Sequence, residues 1–189
     1  MNVYDFDNTI YSGDSTVSFY LFCLKKYPVI LRDFPRQFWG FVKYKTGKIE
    51  KTEFKEVFFC FLKRISDIEF VINNFWDMKQ CKIKKWYKNR QKRDDLIISA
   101  SPEFLLAEIC RRLGVENLIA SKVAMKTGKF LSKNCYGEEK VKRFLDEYSQ
   151  TKIEKFYSDS YSDAPMAALA KEAFIVKGNK IRKWQFKGL

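Results

Sequence analysis

The stretch Asp5-Phe6-Asp7-Asn8-Thr9 places two carboxylates at the end of a short apolar strand predicted over residues 2–6. Side chains alternate along a strand, so Asp5 and Asp7 face one side while Phe6 packs on the other. Two close carboxylates repel each other unless a cation or a proton separates them. The spacing therefore favours either a metal ion such as Mg²⁺ or an ionised acid beside a protonated one, and a polar turn after an edge strand is the alternative.

After residue 93, short apolar strands alternate with helices. We predict strands at 95–98, 118–125, 129–131, 155–158, 174–176 and 181–184. Helices are predicted from Ser101-Pro102 to about Leu113, around 141–148, and from Ala164-Pro165 to about Lys171. This alternation predicts an α/β fold with a mainly parallel sheet, in which ligands bind at the carboxyl ends of the strands.

Residues from about 14 to 90 have a different pattern, with apolar side chains at helical spacing and no convincing strand. Four helices are expected here, and one of them carries Phe34, Phe38, Phe41 and Val42 on one face. We therefore predict an α/β domain built from residues 1–12 and 91–189, interrupted by a helical insertion at 13–90.

The composition limits the possible chemistry. The 189 residues include 36 Lys and Arg against 23 Asp and Glu, and the resulting net charge of +13 predicts affinity for anions. Phosphorylated metabolites, anionic lipid surfaces and nucleic acid all qualify. The chain has no histidine, which excludes Ser-His-Asp triads, Cys-His dyads and HExxH metalloproteases. Nucleophilic catalysis would have to proceed without imidazole.

The cysteines argue for a reducing compartment. They are odd in number, widely spaced and form no CxxC pair, and they lie at Cys23, Cys60, Cys81, Cys110 and Cys135. Reduced thiols in a cytoplasmic protein are the simpler interpretation. No apolar run is long enough to cross a bilayer, and the carboxylates at Asp5 and Asp7 argue against a signal peptide.

Three further sites follow predicted strands or open helices. Ser99 ends a strand and could bind a phosphate oxygen, whereas Ser101 is expected only to cap the next helix. Lys140 lies near the start of a helix, against the helix dipole, and either binds a phosphoryl group, holds a nucleophilic carboxylate ionised or is an exposed lysine. Asp159 and Asp163 follow another strand, as a second acidic pair or as a cap for the next helix.

Taken together, these motifs resemble the haloacid dehalogenase (HAD) superfamily, and the resemblance covers nearly the whole chain. It rests on Asp5-x-Asp7-x-Thr9, Ser99, Lys140 and the Asp159/Asp163 pair in that order. The phrases Ser99-Ala-Ser-Pro-Glu and Cys135-Tyr-Gly-Glu-Glu-Lys140 resemble subfamily IB, the phosphoserine-phosphatase-like branch. The resemblance implies a HAD-like Rossmannoid core and an all-helical type C1 cap inserted after the first motif. Asn8 is a departure, because glycine or serine is commoner there.

The resemblance also implies roles for these residues. Asp5 would be the nucleophile of a Mg²⁺-dependent phosphomonoesterase, forming an aspartyl phosphate, and Asp7 the general acid and base. Mg²⁺ would be held by Asp5, Asp7 through its backbone carbonyl, and Asp159, with Asp163 supporting the metal shell. The phosphate or the nucleophile would be held by a set of residues at the strand ends: Thr9, Asn8, Ser99, Ala100 and Lys140.

The insertion is expected to select the substrate. Asp14 either binds a substrate amine or caps the helix that follows. Residues 82–93 carry seven basic side chains and no acid around Trp86 and Tyr87, which indicates a solvated helix face or contact with an anionic membrane.

Three hypotheses follow: a phosphatase for a small, amine-bearing phosphomonoester, a phosphatase for lipid head groups at an anionic membrane, or a catalytically idle anion-binding or nucleic-acid-binding module. Because the motif set is intact, we expect no nucleic-acid partner. The oligomeric state is not readable from the sequence.

Overall fold

One six-stranded sheet organises the computed structural model, which describes residues 1–186. Its strands are β1 (Asn2–Tyr4), β2 (Leu96–Pro102), β3 (Asn117–Ser121), β4 (Ile153–Ser158), β5 (Ala170–Lys177) and β6 (Lys180–Lys183). Their order in the sheet is β3-β2-β1-β4-β5-β6, and every pair is parallel except β5 with β6. The predicted α/β class and mainly parallel sheet are confirmed, and β1 lies between β2 and β4.

Eight α-helices connect these strands within the described residues. They are α1 (Ser15–Lys26), α2 (Phe34–Lys45), α3 (Lys51–Phe58), α4 (Ile68–Lys79), α5 (Lys85–Lys88), α6 (Glu103–Leu113), α7 (Glu138–Tyr148) and α8 (Ala164–Ala167). Short 3₁₀ turns lie at Pro28–Asp33, Phe59–Arg64, Gln80–Lys82 and Tyr161–Asp163. No helix of residues 1–186 is both long and apolar enough to cross a bilayer.

Alternation along the strands gives the sheet two buried faces. Val3 and its neighbours Leu96 and Ile98 pack with Phe144 of α7 and other side chains of that face. Tyr4 and Ile97 point the other way, into a larger core that also contains residues of α1, α4 and α6. The sheet therefore has an apolar core on each of its two faces.

The helices of the insertion share this larger core with the sheet. Trp76 of α4 packs edge-on against Phe6, and its indole N–H donates to the Leu105 carbonyl of α6 at 2.7 Å. Tyr87 of α5 is fully buried and packs on Tyr4. Trp76 and Tyr87 of the insertion thus pack into the same core as side chains of the sheet. The division into a core of 1–12 and 91–189 and a cap of 13–90 stays a prediction.

Two predicted helix boundaries are wrong. The helix expected from Ser101-Pro102 begins at Glu103, because β2 continues to Pro102, which lies opposite Ser121 of β3 after a register shift. The helix expected to reach Lys171 ends at Ala167. Ala170 instead pairs with Ile153, so strand pairing overrides the helix propensity of an alanine-rich segment.

Candidate active site

The carboxyl ends of β1, β2 and β4 meet at a cavity of about 430 Å³. Because these strands are parallel neighbours, the residues that follow them lie side by side. Nearly all the predicted site residues line this cavity: Asp5, Asp7, Asn8, Asp14, Ser99, Ala100, Lys140, Asp159 and Asp163. The polar residues on the sheet side of the cavity are called the floor below: Asp5, Asp7, Ser99, Ser101, Lys140, Asp159 and Asp163. Thr9 lies just beneath the floor and is fully buried.

Lys140 is the charged centre of the floor. Its Nζ donates to Asp5 Oδ1 at 2.8 Å and to Asp163 Oδ2 at 2.9 Å, and the side chain is only 2% exposed. Burial opposes the charge of Lys140, but the two carboxylates outweigh burial and raise its pKa above the ordinary value. Ser158 donates a further hydrogen bond to Asp163 Oδ2 at 2.7 Å, which fixes this acid against the lysine.

Asp5 is held at both carboxylate oxygens. Lys140 occupies Oδ1, and the hydroxyl of Thr9 donates to Oδ2 at 3.1 Å. Burial raises the pKa of Asp5 to about 7, against the opposing positive charge of Lys140. The same Thr9 hydroxyl accepts the backbone N–H of Asp159 at 2.9 Å, so one side chain connects the ends of β1 and β4.

Asp7 lies in a separate environment from Asp5. Its Oδ1 accepts the backbone N–H of Ser15, at the start of α1, at 2.6 Å, and its Oδ2 accepts the hydroxyl of Ser101. Burial and the nearby charge of Asp14 raise the pKa of Asp7 to about 6, while the two serine hydrogen bonds oppose the shift. The two acids are thus held by different partners, although they are separated by one residue.

Asn8 adopts a left-handed conformation with φ of 56°. Asparagine tolerates this conformation better than most residues, and its N–H donates to the Gly13 carbonyl at 2.9 Å. The Asn8 carbonyl accepts the ammonium of buried Lys84, which also donates to the Gly178 carbonyl at 2.6 Å. The asparagine therefore suits a tight turn that keeps Asp7 next to α1.

Asp159 has a carboxylate that accepts no hydrogen bond from another described residue, although it lines the cavity. Burial, together with the charge of Asp163, raises its pKa. Among residues 1–186, no three acidic, cysteine or histidine side chains converge as a metal cluster. Any cation held here would need backbone or water oxygens besides the carboxylates of Asp5 and Asp159.

The opposite wall of the cavity comes from the insertion. It is called the roof below and consists of Thr16 and Val17 of α1 with Lys51, Phe54, Lys55, Phe58 and Phe59 of α3 and the turn after it. Asp14 caps α1 by accepting the N–H of Val17 at 2.9 Å, which is one of the two alternatives given for it above, and the residue also borders the cavity. Contact of Asp14 with a substrate stays a prediction.

The roof is fastened to the α/β part by polar contacts. Lys55 donates to the Ala100 carbonyl at 2.8 Å and to Asn134 Oδ1 at 3.0 Å, and burial lowers its pKa to about 8. The ammonium of Lys51 lies 3.4 Å from the ring centre of Tyr136. At Gly128, with φ of +72°, a Cβ atom would come within 2.4 Å of the Phe59 carbonyl oxygen, so only glycine fits this approach.

Two residues of the site were missed by the sequence prediction. Ser101 does not cap α6; its hydroxyl instead bonds Asp7 and contacts Ser15 and Thr16. The alternation of Ser99, Ala100 and Ser101 after the apolar run could have revealed a longer strand, which would place both serines on one side. Lys55 gave no signal, because its position depends on how α3 packs over the strand ends.

The profile of the haloacid dehalogenase-like hydrolase family matches residues 3–168. A histidinol-phosphatase of Neisseria meningitidis serogroup C is 24% identical over 202 aligned residues, covering 92% of this chain and 88% of that protein.

Two solved structures share the fold. One is a protein of unknown function from Bordetella pertussis, with a TM-score of 0.75 at 20% identity, covering 92% of this chain and 87% of that one. The other is a probable phosphoserine phosphatase from Vibrio cholerae, with a TM-score of 0.65 at 12% identity, covering 91% and 55%. On the family match over most of its length and the shared fold, this chain belongs to the haloacid dehalogenase-like hydrolases.

Proposed function

We propose that the protein is a Mg²⁺-dependent phosphatase that cleaves a small, amine-bearing phosphomonoester through an aspartyl phosphate on Asp5. The observation that carries this proposal is the pair of carboxylates on the floor, of which Asp5 is held by Lys140 and Asp7 by Ser101 and Ser15. Two acids in different environments can divide the roles of nucleophile and proton donor. The names of the Neisseria relative and the Vibrio structure add support for a phosphomonoester.

In the first step, an oxygen of Asp5 forms a bond to phosphorus while the ester P–O bond breaks, and Asp7 gives its proton to the leaving alcohol. In the second step, Asp7 takes a proton from water, and the resulting hydroxide attacks the phosphorus and releases Asp5 with inorganic phosphate. Burial raises the pKa of both acids, so their neighbours have to separate the roles. The charge of Lys140 opposes the shift of Asp5 and favours its ionised form, whereas the charge of Asp14 adds to the shift of Asp7 and favours its protonated form.

The donors around Asp5 fit a transferred phosphoryl group. Ser99 and Ala100 border the cavity at the end of β2, and Asn8 borders it from the turn after β1. Together with Lys140 they offer hydroxyl, amide and ammonium donors to phosphate oxygens. Thr9 is placed to hold Asp5 rather than the phosphate, because its hydroxyl is already bonded to Asp5 and Asp159.

Magnesium fits this set of oxygen donors. Mg²⁺ usually keeps several waters and takes only one or two protein carboxylates, so it does not need a cluster of three acids. Asp5 and Asp159 would supply the carboxylates and Asp7 its backbone carbonyl, whereas Asp163 would act through Lys140. The ion would offset the negative charge of the phosphoryl group. We expect Mg²⁺ to raise the melting temperature of the wild type, and to do so much less in Asp159→Asn.

The alternative of a lipid head group as substrate was based in part on the aromatic residues of the basic run at 82–93, and the structure does not support that part. Trp86 is half-buried and Tyr87 fully buried, and both pack on aromatic rings of the sheet, so the basic run at 82–93 does not offer them to a membrane. An idle anion-binding module is the third candidate. Hydrolysis of any phosphomonoester by the purified chain would exclude it.

The test is the hydrolysis of p-nitrophenyl phosphate by Asp5→Asn and, as a matched variant of the same cavity, Asp14→Asn. We expect loss of more than about 10³-fold in kcat for Asp5→Asn, because an amide is a poor nucleophile. Asp14→Asn should keep this activity but lose preference for amine-bearing esters in a panel of phosphorylated metabolites. Retained activity in Asp5→Asn would disprove the nucleophile, and an unchanged preference in Asp14→Asn would disprove the amine contact.

A further inference from the structure

Helix α2 directs its aromatic side chains to the surface, and its buried positions are Gln37 and Gly40. The phenyl rings predicted to share one helix face are on the surface: Phe34 is 54% exposed, Phe38 50% and Phe41 44%. Trp39 continues this surface at 62% exposed, and its ring lies edge-on to Phe38 with the ring centres 5.9 Å apart. Phe34, Phe38 and Trp39 are called the α2 aromatic face below. Exposed aromatic groups at this density are unusual for a surface in water.

The inward face of α2 explains why the helix cannot rotate to bury these rings. Gln37 is buried, accepts the hydroxyl of Tyr20 at 2.8 Å and donates to the Phe58 carbonyl at 2.9 Å. Gly40 lies so close to Val57 of α3 that a Cβ atom would come within 2.6 Å of it. Rotation would break both hydrogen bonds and this close approach, so the outward position of the aromatic face is built into the packing.

Basic residues flank the aromatic face along the chain and are called the basic rim below, and two of them, Arg36 and Lys43, border a groove that also contains Glu53 and Glu56. Five exposed basic residues lie along the same segment, and none of them makes an ion pair within residues 1–186: Arg32, Arg36, Lys43, Lys45 and Lys48. The segment's one acid, Asp33, is already paired with Arg64 at 3.1 Å. Exposed Trp and Phe bordered by unpaired Lys and Arg match the interface of a bilayer that contains anionic lipid.

We propose that the α2 aromatic face docks the protein on an anionic lipid surface, with Phe34, Phe38 and Trp39 entering the head-group region and the basic rim on the lipid phosphates. A second copy of the chain fits this face poorly. A two-fold dimer through α2 would bring the two basic rims together in a protein that already carries a net charge of +13. An anionic bilayer instead offers the opposite charge and an apolar layer at the same surface.

The docking face lies beside the cavity rather than in it. Phe54 of the roof packs against Phe41 and Tyr44 of α2, with ring centres 5.9 and 5.2 Å apart. Phe34, Phe38 and Trp39 do not line the cavity. The inference therefore does not depend on the proposed phosphatase activity, and hydrolysis of a water-soluble ester should be unchanged when these three residues are replaced.

The test is co-sedimentation with vesicles of phosphatidylcholine alone and of phosphatidylcholine mixed with phosphatidylglycerol, at low salt. Wild type should bind only the anionic vesicles, with a blue shift of tryptophan fluorescence that disappears in Trp39→Phe. Phe34→Ser/Phe38→Ser should weaken binding by at least about tenfold, and Arg36→Glu/Lys43→Glu by at least as much. The matched controls are Phe70→Ser/Met78→Ser on exposed positions of α4 and Lys142→Glu/Lys152→Glu, and both should bind like wild type.

Other outcomes would overturn the proposal. It fails if wild type ignores anionic vesicles, or if the α2 variants bind as well as their controls. It also fails if the wild type forms a dimer that Phe34→Ser/Phe38→Ser dissolves and that dimer does not bind vesicles, because the face then receives a second copy. Circular dichroism and unchanged p-nitrophenyl phosphate hydrolysis in the α2 variants would separate lost docking from lost folding.

Discussion

The floor and the roof of the cavity are built in opposite ways. On the floor, Asp5 and Asp163 share one buried lysine, and Asp7 has a partner for each carboxylate oxygen. The roof presents Val17 at 46% exposed, with Lys51 and Phe54 half-buried and with fewer polar contacts. The difference teaches that the sheet fixes the floor through hydrogen bonds and ion pairs among buried groups, whereas the roof leaves part of its side chains exposed and is attached through Lys51, Lys55 and Phe59.

The largest expected effect comes from Lys140→Met, which removes the cation shared by Asp5 and Asp163 and so tests whether this lysine holds the floor together. Asp5 and Asp163 would then face each other in the interior without a cation, and we expect a loss of about 3 to 5 kcal/mol in the free energy of unfolding. Hydrolysis should fall with it. Urea unfolding measures the loss, with Lys142→Met on the exposed side of α7 as the control. A loss below about 1 kcal/mol would mean that the floor is not held by this lysine.

The contact between Gly128 and Phe59 of the roof can be tested with Gly128→Ala. The new methyl group would clash with the Phe59 carbonyl oxygen, and the residue would also keep a left-handed conformation. Because the backbone must move, we expect the free energy of unfolding to fall by about 3 kcal/mol. Gly47→Ala is the matched control, because Gly47 has a similar φ of +71° but open space around it, and it should cost only about 1 to 2 kcal/mol. Equal losses in thermal unfolding would show that the approach to Phe59 does not matter.

The cost of burying the ionised carboxylate of Asp7 can be measured by comparing wild type and Asp7→Asn at two pH values. Burial raises the pKa of Asp7 from 3.8 to about 6, so the folded state holds a proton that the unfolded state has already lost. The stability contributed by this proton is complete below about pH 4 and is lost as the pH rises through about 6. The asparagine side chain does not titrate, so the contribution of this position to stability in Asp7→Asn does not change with pH.

The free energy of unfolding of Asp7→Asn, relative to that of wild type, should therefore rise by on the order of 2 kcal/mol between pH 4 and pH 7.5. Urea unfolding at both pH values measures this change. Asp146→Asn on the surface of α7 serves as the control. A gain equal to that of the control would show that burial does not act on Asp7 as described.

The smallest expected effect sharpens the role of the roof. Phe54→Leu removes part of an aromatic wall without touching the floor, so it should change the ranking of phosphomonoesters by up to about tenfold in kcat/KM. Ser101→Ala, a floor variant, should lower kcat/KM for all esters by a similar factor. If Phe54→Leu scales every substrate equally, the roof does not select among them.

The predictable part of the molecule is the part in which local pattern and sheet geometry agree. Asp5, Ser99 and Asp159 could be placed together because each was predicted at the end of a strand, and parallel neighbours bring their ends to one edge, although β2 continues past Ser99 to Pro102. Ser101 was misassigned because Ser-Pro is also a typical helix start, and only pairing of Pro102 with Ser121 shows that the strand continues.

Tertiary contacts decided the remaining differences. The spacing of Phe34, Phe38 and Phe41 correctly predicts a helix, yet periodicity does not say which face is buried. That choice was made by Gln37 and Gly40, through contacts with Phe58 and Val57 that are remote in the sequence.

The central position of β1 has a consequence for biosynthesis. β1 leaves the ribosome before either of its neighbours, since β2 begins at Leu96 and β4 at Ile153. A growing chain therefore carries β1 with at least one free edge, together with a series of aromatic-rich helices, until β4 has been translated, and this state is prone to aggregation and suited to chaperone binding. Truncation before residue 153 would leave the central strand with a free edge, so shortened translation products should be recognised by proteolysis rather than accumulate as partly active enzyme.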